Sequence, residues 1–184
     1  MKDLVTQDYT CAKGCGCFWK PLNSTFVMDC SNRNLTDIPT FVAPIKVNIW
    51  NQIYRVNNIE INLSNNNLEV GPSPQYGYEN VTELNLSNNK IGNFNWTPQD
   101  IQKLHLDRNH LSFISDEILD KLNGSIKLLT LDGNPWTCNC SALKLQNFLI
   151  DNNKQIGEAN IYCEDSGVKI IQNNELFDFN FDDY

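Results

Sequence analysis

Residues 81–91, VTELNLSNNKI, and residues 101–111, IQKLHLDRNHL, follow one spacing pattern. Both place apolar residues at positions 1, 4, 6 and 11 and an asparagine at position 9. The alternation at positions 4 to 6 predicts a short strand whose two apolar side chains point to the same side. The asparagine follows the strand, where its side-chain amide is placed to satisfy backbone groups that a turn leaves without partners.

Four copies of this template occur between residues 58 and 136, and a degenerate copy precedes them. The degenerate copy has Met28, Cys30 and Leu35 in register but Arg33 in the asparagine position. The asparagines of the four copies are Asn66, Asn89, Asn109 and Asn134. Their spacings of 23, 20 and 25 residues fall within the roughly 20–29 residues of leucine-rich repeats. Because one repeat cannot bury its own apolar side, the copies must stack, which predicts an α/β leucine-rich-repeat solenoid with a short curved parallel sheet.

The seven cysteines lie in two clusters that flank the repeats. The first cluster is Cys11, Cys15, Cys17 and Cys30, and the second is Cys138, Cys140 and Cys163. Neither cluster has the paired Cys-x2-Cys spacing of common structural zinc sites, so we favour disulfides over zinc. Since the ends of a solenoid expose its core, the clusters predict disulfide-bonded N-terminal and C-terminal caps in an oxidising compartment.

These observations divide the chain into five segments. An N-terminal flank (1–10) precedes a cysteine-rich N-terminal cap (11–40), the leucine-rich repeats (41–136), a cysteine-rich C-terminal cap (137–172) and an acidic tail (173–184). Within residues 141–150, Leu145, Phe148 and Leu149 recur at helical spacing, which predicts a cap helix over the last repeat. The tail mixes Phe with Asp, and we expect it to be a flexible end.

The composition argues against several classes of function. Charged residues make up 20% of the chain, and its net charge is -8. An acidic chain repels phosphate groups, so neither nucleic acid nor an anionic membrane surface is an expected partner. The two histidines, His105 and His110, lie in one repeat, and the chain has no catalytic or nucleotide-binding motif. We therefore predict a non-enzymatic protein that binds other proteins and needs no cofactor.

Two further features point to an extracellular fragment. The start after Met1 has no apolar leader, and no apolar run is long enough to cross a bilayer. Eight Asn-x-Ser/Thr acceptors of N-linked glycans occur, at Asn23, Asn34, Asn62, Asn80, Asn85, Asn95, Asn123 and Asn139. Together with the clustered cysteines, they predict a piece of a longer extracellular protein whose leader and membrane span lie outside this chain.

Both cysteine clusters resemble the caps of extracellular leucine-rich-repeat proteins. The N-terminal match is Cys-x3-Cys-x-Cys-x12-Cys followed by Asn34-Leu35-Thr36-Asp37-Ile38-Pro39. The C-terminal match is Asn134-Pro135-Trp136-Thr137-Cys138-Asn139-Cys140. A narrower resemblance is to the cap that precedes the membrane span in insect Toll receptors, and it rests on Phe148, Asp151-Asn152, Ile156-Gly157, Asn160 and Cys163.

The resemblance implies the membrane-proximal repeat block of a Toll-type receptor of innate immunity and development, on the extracellular face of the plasma membrane. The implied partners are proteins, namely other receptor copies in a complex with a cystine-knot cytokine similar to Spätzle. Such receptors bind this cytokine mainly through more N-terminal repeats. The alternative is a secreted or cell-surface adhesion or matrix module, which would bind collagen or glycans rather than another receptor copy.

The resemblance also implies a disulfide pairing. It joins Cys11 to Cys17 and Cys15 to Cys30 in the N-terminal cap, and Cys138 to Cys163 in the C-terminal cap. The family's fourth C-terminal cap cysteine is missing here, so Cys140 is expected to be unpaired. We favour loss of its partner by truncation or mutation, while a disulfide-linked dimer and shuffled pairing within the cap stay open.

The template predicts three rows of residues on the concave sheet. They are Glu60, Glu83, Lys103 and Leu128; Asn62, Asn85, His105 and Thr130; and Ser64, Ser87, Asp107 and Asp132. Glycans on Asn62 and Asn85 would obstruct a protein ligand, and so few repeats offer little area against the roughly 800 Å² per partner of a standard interface. We interpret His105 as an exposed strand residue rather than a pH-sensitive contact. Leu128 is either covered by a loop or an exposed binding residue.

The insert between Leu35 and Asn58 is longer than one repeat needs and is rich in apolar residues. They are Phe41, Ile45, Val47, Ile49, Trp50, Ile53 and Tyr54. We expect most of them to pack beneath the N-terminal cap. Trp50 stays a candidate binding residue, because a protruding aromatic loop would be a contact site.

Overall fold

Eleven strands and two α-helices occur in the part of the chain that the computed structural model describes. That part comprises residues 11–137, 143–156 and 161–164, and the backbone of 169–172 and 175–176. The strands are β1 (Gly16–Lys20), β2 (Thr25–Asp29), β3 (Lys46–Ile49), β4 (Gln52–Arg55), β5 (Asn58–Asn62), β6 (Glu83–Asn85), β7 (Lys103–His105), β8 (Leu128–Thr130), β9 (Ile161–Tyr162), β10 (Lys169–Gln172) and β11 (Glu175–Leu176). The helices are α1 (Asp116–Leu122) and α2 (Leu143–Asp151).

One six-stranded sheet runs through the repeats in the order β1-β2-β5-β6-β7-β8. β1 is antiparallel to β2, and every later pair of neighbours is parallel. The parallel register aligns the position-4 residues of the template, which are Ile61, Leu84, Leu104 and Leu129. The predicted leucine-rich-repeat sheet is therefore confirmed, with one antiparallel strand added by the N-terminal cap.

The apolar template positions form one continuous core. At template positions 4 and 6 of the last three repeats all the leucines are fully buried, and they are Leu84, Leu86, Leu104, Leu106, Leu129 and Leu131. The closing residues of the four repeats are at most 1% exposed, and they are Leu68, Ile91, Leu111 and Trp136. Because each buried leucine contributes about 1.5–3 kcal/mol, these shared positions hold neighbouring repeats together.

The template asparagines join each repeat to the one before it. The Nδ2 of Asn89 donates to the carbonyl oxygens of Leu63 and Leu86, both at 3.0 Å. Its Oδ1 accepts from the backbone N–H of Leu68 at 3.1 Å. Equivalent bonds are made by Asn66, Asn109 and Asn134. Each amide thus satisfies backbone groups of two successive repeats, and all four asparagines are buried.

The N-terminal cap closes the first edge of the core. Disulfides join Cys11 to Cys17 and Cys15 to Cys30, the pairing that the resemblance implies. Cys30 is fully buried in a core position of the degenerate repeat, and its N–H donates to the carbonyl oxygen of Asn62 at 2.8 Å. The degenerate repeat is therefore part of the cap and of the sheet at once.

The C-terminal cap covers the opposite end with α2. Leu145, Phe148 and Leu149 are its buried residues, the three that predict the cap helix from their spacing. Trp136 lies at the end of the last repeat, where its Nε1 donates to the carbonyl oxygen of Leu131 at 3.1 Å. The helix thus covers apolar surface that a further repeat would otherwise bury.

The cysteines of the C-terminal cap are only partly described. Cys163 is buried and disulfide-bonded. Cys138 and Cys140 lie outside the described residues, as does the glycan acceptor Asn139. The pairing of Cys138 with Cys163 and the unpaired state of Cys140 therefore stay predictions.

The insert before the first complete repeat forms a hairpin of β3 and β4. Phe41 and Val47 are buried and Ile49 is half-buried. The other four apolar residues are exposed: Ile45 at 80%, Trp50 at 80%, Ile53 at 68% and Tyr54 at 36%. The expectation that most of them pack beneath the cap was wrong, because a hairpin with a two-residue turn projects its outer face and its tip into solvent.

Candidate protein-interaction surfaces

The three predicted rows lie side by side on the sheet. Register places Glu60, Glu83, Lys103 and Leu128 in one row and Asn62, Asn85, His105 and Thr130 in the next. With Ser64, Ser87, Asp107 and Asp132, which follow the strands, these residues make up what we call the concave surface. Such rows follow from parallel strands about 4.8 Å apart that start at equivalent template positions.

Ion pairs neutralise much of the charge on the concave surface. Lys103 Nζ lies 2.8 Å from a carboxylate oxygen of Glu83, and Lys20 from the N-terminal cap pairs with Glu60. The hydrogen bond to Glu83 raises the pKa of Lys103 from its usual value. Exposed pairs of this kind stabilise a fold by at most about 1 kcal/mol. They do, however, leave little net charge in this row to attract a partner.

Asp107 organises a polar cluster at the centre of the concave surface. One of its carboxylate oxygens accepts from Ser87 Oγ at 2.7 Å and from Thr130 Oγ1 at 2.5 Å. Burial, followed by the charge of Asp107, raises the pKa of Asp132 above its usual range. Burial and the neighbouring charge therefore destabilise the ionised form of Asp132 where the strands end.

His105 and Leu128, two candidate binding residues, are both half-buried on this surface. Thr130 Oγ1 lies 3.4 Å from His105 Nδ1. Burial lowers the pKa of His105, and the carboxylates of Glu83 and Asp107 oppose that shift. Leu128 is therefore neither fully covered nor fully exposed, which are the two alternatives that the sequence left open.

The glycan acceptors divide between the concave surface and more exposed positions. Asn62 and Asn85 are half-buried, and their Oδ1 atoms accept from the backbone N–H of Ser64 and Ser87 at 3.1 and 3.0 Å. The exposed acceptors are Asn23, Asn34, Asn80, Asn95 and Asn123. Their side chains are accessible to an attached sugar, whereas those of Asn62 and Asn85 are engaged with the backbone.

A second candidate surface lies on the β3–β4 hairpin. We call it the hairpin surface, and it comprises Ile45, Lys46, Trp50, Ile53 and Arg55, all of which are exposed. Lys46 lies opposite Arg55 in the antiparallel register. At the base of the hairpin, the Tyr54 ring lies 6.1 Å from the Trp19 ring of the N-terminal cap. The hairpin thus rests on the cap and carries its apolar and cationic side chains outward.

The tip of the hairpin has an unusual backbone. Trp50 and Asn51 have φ angles of 50° and 64°. Two-residue hairpin turns with positive φ at both positions favour Asn and Gly, and a bulky residue there is a genuine outlier. A strained residue persists where the surrounding structure holds it, often at a functional site.

Charge is distributed unevenly along the chain. Residues 11–57, which include the N-terminal cap and the hairpin, contain five basic and two acidic residues. Residues 58–184 contain eight basic and eighteen acidic residues, a net charge of -10. The hairpin surface is therefore a cationic patch on a strongly acidic molecule.

An open cleft of about 440 Å³ lies between α1 and α2. Its lining includes apolar side chains of Leu119, Leu143 and Phe148 and carboxylates of Asp120 and Asp151. Lys144 pairs with Asp120 at 2.8 Å and with Asp116 at 3.8 Å. Carboxylates thus outnumber the lysine around this cleft.

Sequence reasoning missed α1, which supplies half of this cleft. Ser115 caps the start of the helix, and its side chain accepts from the backbone N–H of Ile118. Asp116 and Glu117 lie in the first turn. A capping serine before acidic residues is a recognised helix start. The template did not reveal it because the repeat spacing fixes only its own eleven positions and not the residues between two copies.

Three comparisons place the chain among known proteins. No protein-family model matches it. It is 32% identical to Drosophila melanogaster protein Toll over 155 residues, which cover 82% of this chain and 13% of Toll. It is 26% identical to Danio rerio leucine-rich repeat-containing protein 3 over 181 residues, which cover 92% of this chain and 61% of that protein. In solved structures, it matches the Drosophila Toll–Spatzle complex with a TM-score of 0.76 and 29% identity, covering 92% of this chain and 22% of the matched chain.

The chain is a leucine-rich-repeat protein that resembles Toll. A glycosylated form of the same complex gives a TM-score of 0.75 at 30% identity. Its Toll and leucine-rich-repeat relatives are non-enzymatic, and the similarity to Toll supports an extracellular location. Among the described residues, no helix is long and apolar enough to span a membrane. The chain spans about an eighth of Toll's length, so what the whole receptor does is not carried over directly.

Proposed function

We propose that this chain is the membrane-proximal repeat block of a Toll-type signalling receptor, on the extracellular face of the plasma membrane. In this role it supports contact between receptor copies when a Spätzle-like cystine-knot cytokine binds elsewhere on the receptor. The observation that carries the proposal is the placement of apolar surface. Trp50, Ile45 and Ile53 are exposed on the hairpin, whereas the concave surface is polar, with Glu60 and Glu83 held in ion pairs and the carboxylates of Asp107 and Asp132 where the strands end.

Two features of the concave surface favour a role in contact between receptor copies over primary cytokine binding. Asn62 and Asn85 are glycan acceptors in its central row. Its six strands include only four from complete repeats, which is little area for a standard interface of roughly 800 Å² per partner. Aromatic anchors carry much of the energy of protein interfaces, and the hairpin offers one that the concave surface lacks.

The second candidate is an adhesion or matrix module. It is favoured by the match to zebrafish leucine-rich repeat-containing protein 3, of which the chain covers 61% rather than 13%. In such a short protein the repeats would bind a partner directly and would not be part of a larger receptor. Binding to collagen or glycans, measured on the isolated chain, would support this candidate.

Receptor function is tested with a chimera of Drosophila Toll in which this chain replaces the matching region. We expect the chimera to reach the cell surface and to activate a reporter in response to Spätzle. The control chimera carries the matching region of zebrafish leucine-rich repeat-containing protein 3, which is 26% identical to this chain. A chimera that reaches the surface but stays silent, or two chimeras that respond equally, would contradict the proposal.

Covalent features of this role are tested by mass spectrometry of protein secreted from insect cells. We propose N-linked glycans on seven acceptors, which are Asn23, Asn34, Asn62, Asn80, Asn85, Asn95 and Asn123. We further propose a Cys138–Cys163 disulfide that leaves Cys140 as the single labelled thiol. A second labelled thiol, or a dimer that reduction separates, would contradict the assignment of the C-terminal cap.

A further inference from the structure

A row of exposed side chains follows the closing core residues of three repeats. Val70, Asn93 and Phe113 each lie two residues after the closing residue of their repeat, and we call them the edge row. Val70 is 55% exposed, Phe113 is 56% exposed, and Asn93 is exposed as well. The edge row thus places two apolar side chains in solvent, with one asparagine between them.

Backbone contacts between repeats set the register of the edge row. Val70 forms a parallel bridge with Asn93. In the next pair of repeats, the His110 N–H donates to the carbonyl oxygen of Ile91 at 2.9 Å, and the same bond occurs one repeat earlier at 2.8 Å. Because these two bonds join equivalent template positions, the register that pairs Val70 with Asn93 also sets Phe113 beside Asn93.

The glycan acceptor Asn95 lies on the same side of the backbone as Asn93. Both are exposed, whereas Phe94 between them is buried. Such alternation is typical of an extended segment, in which residues i and i+2 share a side. Phe113 and Ile114 continue the pattern in the next repeat, one exposed and the other buried. Asn95 is therefore a diagonal neighbour of Phe113, at the separation of about 7–8 Å that long side chains bridge.

From these observations we propose that the first N-acetylglucosamine of a glycan on Asn95 packs on the exposed ring of Phe113. One face of the sugar ring presents C–H groups, and contact with an aromatic ring removes apolar surface of both from water. The inference rests on the glycan at Asn95 that the proposed function includes. It commits to this sugar because a covalent link holds the sugar beside the ring at a high effective concentration.

The buried hydroxyl of Thr97 restricts when the sugar is attached. Thr97 completes the acceptor motif of Asn95, is 4% exposed, and has no hydrogen-bond partner for its Oγ1 in the part of the chain that the structure describes. The acceptor motif requires this hydroxyl, so the transferase must reach it before the repeat is packed. The sugar is therefore present while the repeat folds, and Phe113 packs on it as folding completes.

The central experiment observes the sugar by NMR. Protein secreted from insect cells is treated with an endoglycosidase that leaves one N-acetylglucosamine on each occupied acceptor. The sugar resonances that disappear in Asn95→Gln belong to Asn95. We expect the ring current of Phe113 to shift some of them upfield, and Phe113→Ser to return them to the positions of a solvent-exposed sugar.

The sugar on Asn23 is the internal control for this measurement. Asn23 belongs to the N-terminal cap and precedes β2, and β5 and β6 lie between β2 and β7 in the sheet. Phe113 follows β7, so it is remote from Asn23. The resonances that disappear in Asn23→Gln should keep their positions in Phe113→Ser.

A double-mutant cycle measures what the contact contributes to stability. Asn95→Gln should lower the Tm by about 2 °C, the shift expected for one aromatic contact in a chain of this size. In a Phe113→Ser background the same change should lower it by less than about 0.5 °C, because the sugar then has no ring to cover. Val70→Ser is the matched control, since it removes the apolar side chain on the other side of Asn93 and should leave the effect of Asn95→Gln unchanged.

Four results would overturn the inference. They are an Asn95 without a sugar, sugar resonances that Phe113→Ser does not move, a sugar effect on the Tm that depends on Val70 instead of Phe113, and concentration-dependent association that Phe113→Ser abolishes, which would make a second copy the occupant of the ring. If the Toll chimera signals but the sugar does not contact Phe113, this inference fails alone. If the sugar contacts the ring but the chimera is silent, the proposed function fails alone.

Discussion

The repeats and the hairpin insert use the same apolar residue types, but the repeats bury them and the insert exposes several of them. In the repeats, leucine and isoleucine occupy periodic positions and are almost fully buried. In the insert, isoleucine and tryptophan occupy positions with no period, and Ile45, Trp50 and Ile53 are at least 68% exposed. The comparison teaches that apolar content alone does not locate a core. Periodicity locates it, because only a repeated position finds the same neighbour in the next repeat.

Asparagine shows the same contrast. In the repeats, Asn89 is buried and donates to two carbonyl groups. In the insert, Asn51 is exposed and adopts a positive φ angle in the turn, a conformation that asparagine tolerates. One residue type therefore connects repeats in the first setting and shapes the backbone in the second.

The largest expected effect is that of removing one asparagine from the repeats. Asn89→Ala leaves the buried N–H of Leu68 without its partner and removes one of two asparagine donors from each of the carbonyl oxygens of Leu63 and Leu86. Since the unsatisfied N–H costs about 1–3 kcal/mol and each lost bond about 0.5–1.5 kcal/mol, we expect the free energy of unfolding to fall by about 3–5 kcal/mol. Urea denaturation measures this loss. The control, Asn93→Ala, changes an exposed side chain and should cost less than about 0.5 kcal/mol.

A loss of less than about 1 kcal/mol for Asn89→Ala would contradict this account. The asparagines would then mark the template without holding it together. The comparison between buried and exposed asparagine would also lose its energetic basis.

The sequence predicted the repeats well and the insert poorly, for a physical reason. Leu84 and Leu104 are separated by the same spacing as their template positions, so their alignment in the sheet follows from counting. Ile53 and Val47 are both apolar members of a short hairpin, and one is exposed while the other is buried. Nothing in the spacing distinguishes them, because their burial depends on which face of β3 and β4 rests on the cap. The candidate surfaces divide in the same way: the rows of the concave surface were predictable, and the α1–α2 cleft was not.

The next effect concerns the N-terminal cap, which joins the two regions. Replacing Cys15 and Cys30 by alanine opens a disulfide with a separation of 15 residues, and replacing Cys11 and Cys17 opens one with a separation of 6. Loop-closure entropy gives losses of about 3 and about 2 kcal/mol. Thermal and urea unfolding of the two double variants measure the difference. A larger loss for the shorter loop would indicate that Cys11–Cys17 holds the cap by contacts rather than by chain entropy.

A smaller effect of opposite sign is expected at the hairpin tip. Trp50→Asn places a residue that tolerates positive φ at a position where tryptophan is strained. We expect the free energy of unfolding to rise by about 0.5–1 kcal/mol. Asn51→Ala, at the other turn position, is the matched control and should lower it by about 1 kcal/mol. A loss of stability in Trp50→Asn would mean that the ring packs for folding, and the contrast between insert and repeats would weaken.

The smallest expected effect concerns Asp132, a side chain of the repeats whose ionised form is unfavourable in the folded state. Burial and the charge of Asp107 raise the pKa of Asp132, so the folded state holds this proton more tightly than the unfolded state. Stability therefore falls as the pH rises from the unfolded pKa, about 3.9, through the folded one, and the loss persists at neutral pH.

Asp132→Asn should accordingly raise the free energy of unfolding at pH 7, by less than about 1 kcal/mol because the carboxylate is partly solvated. The gain should vanish near pH 3, where Asp132 is protonated in both states. Urea denaturation at the two pH values measures it, with Asp37→Asn in the N-terminal cap as the control. A gain that persists at pH 3 would trace the effect to packing rather than charge. A gain confined to neutral pH would place an ionised, unfavourable group on the concave surface, where a cationic partner would relieve it.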